Sequence, residues 1–304
     1  MAYDVSNLTS YVEEQNFPLL RKSIFGGRTS ELVKIQSGVK GKSAINIWET
    51  DVIYQDDDCS RTASGSTVFS QREIEVSPIA IHQDLCPKKL NGYYLQTQLK
   101  AGSKDDEIVF EAEYTDEVSA KIAKQNEINF WQGDKTSNDN NLSKFNGFLK
   151  QLNGTDYVTG NTEAITAITK ENIYGIVEDI DEQIPADVAD ADDLVIFMGV
   201  DSFKKYRSAL KEKNLYHYSA DNSKFEIEVA GTEQKIVAVN GLNNTGAIVA
   251  GRASNFVIGT DLEGEEDNFE LWYSKDARVV KMTVAFKLGT QIAFPEQVVY
   301  FKTA

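Results

Sequence analysis

The stretch from Asp105 to Asp134, DDEIVFEAEYTDEVSAKIAKQNEINFWQGD, constrains the fold of this chain more than any other. Phe110, Tyr114, Val118 and Ile122 recur every four residues, and Phe130 continues the row. Side chains four apart stack on one face of a helix. Glu111, Glu113, Glu117, Lys121 and Lys124 fall between them and call for water. The spacing predicts one long helix, in which Glu107–Gln132 makes a rod about 39 Å long at ~1.5 Å per residue. Gly133 is its natural C-terminal stop. A rival pattern overlaps its start: Glu107–Tyr114 also alternates apolar and acidic like a strand, with Thr115 able to cap a shorter helix. Either way, the rod must be packed along one side by something large.

The 304 residues suffice for one large or two modest domains with a real core. A formal net charge of −16 argues against nucleic-acid binding through a basic surface. Cys59 and Cys86 form no CxxC pair, so zinc ligation and a disulfide framework are not expected. The start, MAYDVSNLTSYVEEQNF, lacks the basic-then-apolar pattern of a signal peptide. No apolar run approaches the roughly 18 residues of a membrane helix. Folding in a cytoplasm is the expectation.

Residues 1–40 look like an arm, with a short helix near Leu8 and Val12, a break at Pro18 and a flexible joint at Ser23–Arg28. Ala44–Tyr54 and Thr67–Ile81 alternate in strand fashion around a polar tip, QDDDCSRTASGST. Such an extended hairpin has too little apolar surface to be stable alone. Asp56–Asp58 lacks the spacing and glycine of a calcium loop, so a solvated or salt-bridging tip is expected. Asp84–Leu99 reads as a short helix, and Phe145–Leu152 as a short amphipathic segment. Thr169–Ile184 is a second helix, with Ile173, Ile176, Val177, Ile180 and Ile184 on one face and Pro185 after it. Leu194–Met198 is a buried strand, and Asp201 is placed to cap a helix over Ser202–Asn214. Phe225–Val229 with Lys235–Val239 makes a hairpin, and Gly246–Ala250 another strand. Phe269–Tyr273, Val279–Leu288 and Gln291–Phe301 are expected strands. Val280, Met282, Val284, Phe286 and Leu288 give one buried face, the obvious partner for the long helix.

Catalytic motifs are absent from the sequence. His82 and His217 have no partner at metal-ligand spacing. There is no G-x-S-x-G elbow, P-loop or G-x-G-x-x-G. The cluster Asp187, Asp190, Asp192, Asp193 reads as a solvated loop. Tyr93, Tyr94, Tyr216 and Tyr218 lack interleaved basic residues, which favours packing over base stacking. No catalytic residue, cofactor or metal is expected.

The order of these parts resembles the major capsid proteins of tailed bacteriophages, the HK-97-like fold shared with encapsulin shells. The resemblance covers about residues 40–304. It rests on Phe130-Trp131-Gln132-Gly133-Asp134, then Phe145-Asn146-Gly147-Phe148-Leu149, and on Leu194-Val195-Ile196-Phe197-Met198-Gly199 before a helix with Phe203, Lys205 and Tyr206. It continues with Val239-Asn240-Gly241-Leu242, Ser254-Asn255-Phe256-Val257-Ile258-Gly259-Thr260-Asp261-Leu262 and Phe286-Lys287-Leu288-Gly289-Thr290-Gln291-Ile292-Ala293-Phe294-Pro295.

The resemblance implies an α+β protein with an N-terminal arm (1–40) and an extended-loop hairpin (41–82). A peripheral domain would combine 83–147 with 255–304 around a spine helix at 105–134, and an axial domain would span 148–254. Phe110, Tyr114, Val118, Ile122 and Phe130 would pack the spine helix. The loop tip, with Gln55, Asp56, Asp57, Asp58, Arg61 and Ser66, would touch neighbouring subunits. The implied function is structural: self-assembly into pentamers and hexamers of an icosahedral or prolate shell around double-stranded DNA, in a virion assembled in the host cytoplasm. Expected partners are other copies of the chain, a portal and the packaged DNA without specific binding, with no membrane. Too few residues precede the hairpin for a fused scaffolding segment, so a separate scaffolding protein is expected. The acidity suits a lining that repels DNA phosphates. An encapsulin-like compartment shell is the nearest alternative, and an acidic cytoplasmic enzyme or binding protein a more distant one.

Overall fold

The computed structural model describes residues 25–56, 64–85, 110–153, 157–160, 164–213, 225–229, 232, 234–261, 269–277 and 279–304. A short helix α1 (Arg28–Leu32) and strand β1 (Lys34–Gln36) lead into a hairpin of β2 (Lys42–Thr50) and β3 (Thr67–Glu75), followed by β4 (Ser77–Leu85). The long helix α2 (Phe110–Gln132) and α3 (Phe148–Leu152) come next. Then follow β5 (Val158–Thr159), α4 (Ile173–Glu182), α5 (Ala186–Ala189), β6 (Leu194–Gly199) and α6 (Val200–Glu212). Strands β7 (Glu226–Glu228), β8 (Lys235–Val239), β9 (Ala247–Arg252), β10 (Phe256–Thr260), β11 (Phe269–Ser274), β12 (Val279–Ile292) and β13 (Val299–Lys302) complete the chain.

The strands form two sheets and a separate two-stranded hairpin. The first sheet runs β1-β10-β12-β11, with β4 also laddered along β12 from Leu85↔Val280 to Ser77↔Leu288. The second runs β5-β13-β9-β6-β8-β7. Strand β6, LVIFMG, is buried throughout because both faces of this sheet are covered. Its Val195 and Phe197 point into a core shared with α2 and the first sheet, whereas Ile196 and Met198 point into a second core under α4 and α6.

Helix α2 fixes the relation between the layers. Tyr114 is half-buried against the shared core, and Val118, Ile122 and Phe130 are buried in it, together with Val280, Met282, Val284, Phe286 and Leu288 of β12. Residue 110 opens the helix, so the strand pattern does not hold beyond it; the side chain of Phe110 and residues 101–109 lie outside the described residues. The helix also buries polar side chains: Thr115, Ser119, Asn126 and Asn129 are interleaved with the apolar row, and Glu127 lies beyond it. A 3-10 turn, Asn240–Leu242, packs on the helix at Glu127 and Trp131. A Cβ on Gly241 would come within 2.3 Å of the Glu127 carbonyl oxygen and of the Trp131 ring, so only glycine fits. Gln132 Nε2 donates to the Gly241 carbonyl at 2.6 Å.

Several sequence expectations need correction. The second hairpin strand does not run through to Ile81: it breaks at Val76, and β4 leaves the hairpin for β12. Asp84 therefore ends a strand rather than starting a helix; 86–99 lie outside the described residues. The end of the arm segment is not free, because α1 packs on α2 and β1 ladders with β10. The predicted Gln291–Phe301 strand divides at Pro295–Gln297, and β13 joins the second sheet, beside β9 and β5, not the first. Asp201 lies within the first turn of α6 rather than capping it. Asn243 Oδ1 takes the Val200 N–H at 2.7 Å instead, a cap reached across the fold. Asp193 is no solvated loop residue: its carboxylate accepts from Arg252 Nε at 2.8 Å and from the Ser254 backbone at 3.2 Å.

This packing makes Ile122→Asp a severe change, since an uncompensated buried charge costs on the order of 3–5 kcal/mol against a total stability of ~5–15 kcal/mol. Thermal unfolding followed by circular dichroism should show loss of the cooperative transition. Lys121→Asp one residue away, at a position 74% exposed, should shift the midpoint only slightly.

Candidate assembly surface

The hairpin β2–β3 is the part of the chain that its own fold leaves incomplete. Its base is anchored: Ile74, Val76, Val39 and Val257 form a small buried cluster, with Ile45 against it. Among the described side chains, Ile47 is the last buried one outward along β2. Beyond it, Trp48 and Phe69 sit directly opposite each other, and each is 76% exposed. Directly opposed antiparallel residues share a face, so the two rings form one aromatic patch. Val68, paired with Glu49, lies on the other face and is exposed. Val52, Ile53 and Tyr54 extend the apolar surface beyond β2, with Tyr54 97% exposed.

The predicted tip residues occupy the end of this hairpin. Gln55, Asp56 and Ser66 are exposed; Asp57, Asp58 and Arg61 lie outside the described residues. Gln55 Nε2 donates to Ser64 Oγ, and the Asp51 N–H to the Ser66 carbonyl at 2.8 Å, so the ladder continues past Thr50. Trp48, Phe69 and Tyr54 carry more apolar surface than the polar tip, and the tip alone was singled out from the sequence. A trace of them was available. Ile47-Trp48 and Val68-Phe69 put apolar side chains on both faces of a ribbon, which a ribbon with one covered face does not need.

Two smaller features accompany the hairpin. Trp272 on β11 is 38% exposed, and Ile35 on β1 is 40% exposed. Among the described residues, β11 ladders only with β12 and β1 only with β10. Both strands therefore present open edges. His82, exposed on β4, contacts Thr283 Oγ1 at 3.1 Å, and His217, Cys59, Cys86 and the four tyrosines named above lie outside the described residues. One acidic group is held well below its ordinary value at an ordinary structural site. Lys150 Nζ, 2.8 Å from Asp134, and the Thr136 hydroxyl hold that carboxyl down to about 2. These bonds tie the loop after α2 to α3.

No family profile matches the sequence, and no curated protein matches it. Solved structures do match its fold. A chain of the satellite phage P4 procapsid is similar over 95% of this chain and 90% of its own, at 13% identity and a TM-score of 0.58. The capsid of the empty GTA particle matches over 93% and 90%, at 14% identity and a TM-score of 0.57. The virus-like particle from Pyrococcus furiosus matches over 97% and 98%, at 10% identity and a TM-score of 0.54. The two sheets, the long helix and the hairpin give this chain the α+β fold of these capsid structures. Its fold is the HK-97-like fold.

If the aromatic patch is an intermolecular surface, Trp48→Ser with Phe69→Ser should leave the protomer folded, because both side chains already face water. Circular dichroism should be unchanged. Sedimentation should show the variant held at the size of the free protomer under conditions where the parent chain associates.

Proposed function

We propose that this chain is a shell-forming structural protein, the major capsid protein of a phage-like particle. Copies associate as pentamers and hexamers into a closed icosahedral or prolate shell around double-stranded DNA. The observation that carries this reading is the projecting hairpin with its exposed Trp48–Phe69 patch, on a fold that buries most of its other described apolar residues. Solvent-exposed aromatic clusters of this kind mark surfaces completed by a partner. In a chain with a capsid-type fold, the partner is another copy. The chain acts by geometry rather than catalysis.

The acidity supports the same reading. A net charge of −16 gives a surface that repels nucleic-acid phosphate, which favours smooth packing and release of DNA. DNA is then contents rather than a specific ligand. A portal and a separate scaffolding protein complete the assembly, which takes place in the host cytoplasm and yields a virion component.

The test is expression of the chain followed by negative-stain electron microscopy and light scattering. Closed particles are expected. A protein that stays monomeric at micromolar concentration, with no particle under any salt condition, would sink the proposal. Particles loaded with double-stranded DNA in infected cells support the phage reading; particles loaded with a protein cargo instead would make this a compartment shell. Deleting residues 55–66 should leave a folded protomer that forms no stable shell, and normal shells from that deletion would remove the hairpin from the assembly mechanism.

A further inference from the structure

Glu127 of α2 is buried, at 3% exposure. Its carboxylate accepts the Thr29 hydroxyl at 2.6 Å and the Thr29 backbone N–H at 3.2 Å. The indole N–H of Trp131 donates to Thr29 Oγ1 at 2.7 Å, which aims the hydroxyl proton at the carboxylate. Helix α1 has no side-chain cap of its own at Gly27, so Glu127 supplies one from a distant part of the chain. The approach is close: a Cβ on Gly27 would lie 2.2 Å from Glu127 Oε2.

The surrounding charges leave the carboxylate uncompensated. Arg28 is directed towards Glu226 and Phe225, with Nη1 3.4 Å from Glu226 but without a hydrogen bond and the guanidinium 5.0 Å from the Phe225 ring centroid. Glu31, also on α1, adds like charge. Lys124 lines the same cleft from α2, and the facing turn contributes only Asn240, Gly241 and Leu242, which do not titrate. Among the described residues no cation forms an ion pair with Glu127. Arg28, Glu127 and Phe225 thus meet where the N-terminal segment, the long helix and the second sheet converge, around a cleft of about 370 Å³.

We propose that Glu127 is a proton-linked clamp on the segment Phe25–Leu32, holding it firmly when protonated and loosely when ionised. The sign follows from burial. Desolvation pushes this carboxyl above the ordinary glutamate value of 4.5, outweighing the Thr29 hydrogen bonds and the more distant Arg28 that favour the anion. Lifting α1 would return Glu127 to water and to its ordinary value. The clamped state therefore binds the proton more tightly than the released state. Clamping is fully supported below 4.5 and weakens as the pH rises through the raised value. Across that window one proton changes the release equilibrium by up to about tenfold per pH unit. Release would free the N-terminal segment and open the cleft, without requiring the two cores to separate. The clamp is independent of whether the chain forms shells.

Amide hydrogen exchange on the full chain tests this, with rates corrected for the intrinsic pH dependence, over about pH 5 to 9. The peptide spanning Phe25–Leu32 should lose protection as the pH rises, whereas Ile173–Glu182 in the second core should not follow. Glu127→Gln, a neutral isostere, should flatten the profile. A flat parent profile, the same slope in Glu127→Gln, or an equal slope in every peptide would each overturn the clamp. Thr29→Val serves where Glu127→Gln does not fold. Losing the hydroxyl donor raises the clamped value further, so the loss of protection should extend to higher pH, and an unchanged profile would refute the proposal.

Discussion

The fold depends on the burial of two adjacent aromatic residues at the end of α2. Phe130 and Trp131 point in directions about 100° apart around the helix, and both are fully buried. Phe130 packs on Phe145, with centroids 6.2 Å apart. Trp131 packs on Phe148 at 5.3 Å, on Phe197 at 5.2 Å and on Phe256 at 6.0 Å. Phe197 belongs to the second sheet and Phe256 opens β10 of the first, so one indole touches both. Each such ring pair adds roughly 0.5–1.5 kcal/mol beyond the area it buries. A continuous apolar seam of this kind is what prevents two adjoining units from moving independently.

The same helix marks the limit of what the sequence discloses. Its apolar row follows from a four-residue repeat, because that row meets core made from the same chain. Its buried polar residues were invisible, because Thr115, Ser119, Asn126, Glu127 and Asn129 score as surface residues. Two of them are buried against particular partners: Glu127 is satisfied by Thr29, and Asn129 Oδ1 by Gln125 Nε2 at 3.0 Å. Hydropathy records no such pairing. Strand β6 was legible as an unbroken apolar run. The departure of β4 from the hairpin was not, since alternation continues through Val76 and periodicity does not name a ladder partner. The Asn243 cap on α6 likewise joins residues far apart in sequence.

The hairpin is harder still, because alternation looks the same whether a face is covered by the same chain or by another. Ile74 and Phe69 lie in one strand, the first wholly buried and the second 76% exposed. The two lie on opposite faces of the ribbon, and only the face of Ile74 meets Val39 and Val257. The polar tip attracts notice in a sequence because it breaks the pattern at length, while the aromatic pair leaves only the fainter trace of apolar residues on both faces.

A chain that keeps Trp48, Phe69, Val52, Ile53 and Tyr54 in water must avoid indiscriminate association, and here its charge counts. With 47 acidic against 31 basic residues, any two copies repel at long range. That repulsion has little directional content and is screened within about 10 Å at 0.1 M salt. Apolar burial acts only at contact and only when shapes match. A loose encounter therefore meets repulsion without compensating burial, whereas an encounter that covers both aromatic rings gains contact area where the repulsion is already screened. In the shell reading, the acidity and the exposed hairpin are parts of one device: the charge keeps free copies apart, and the aromatic patch selects the geometry in which they join.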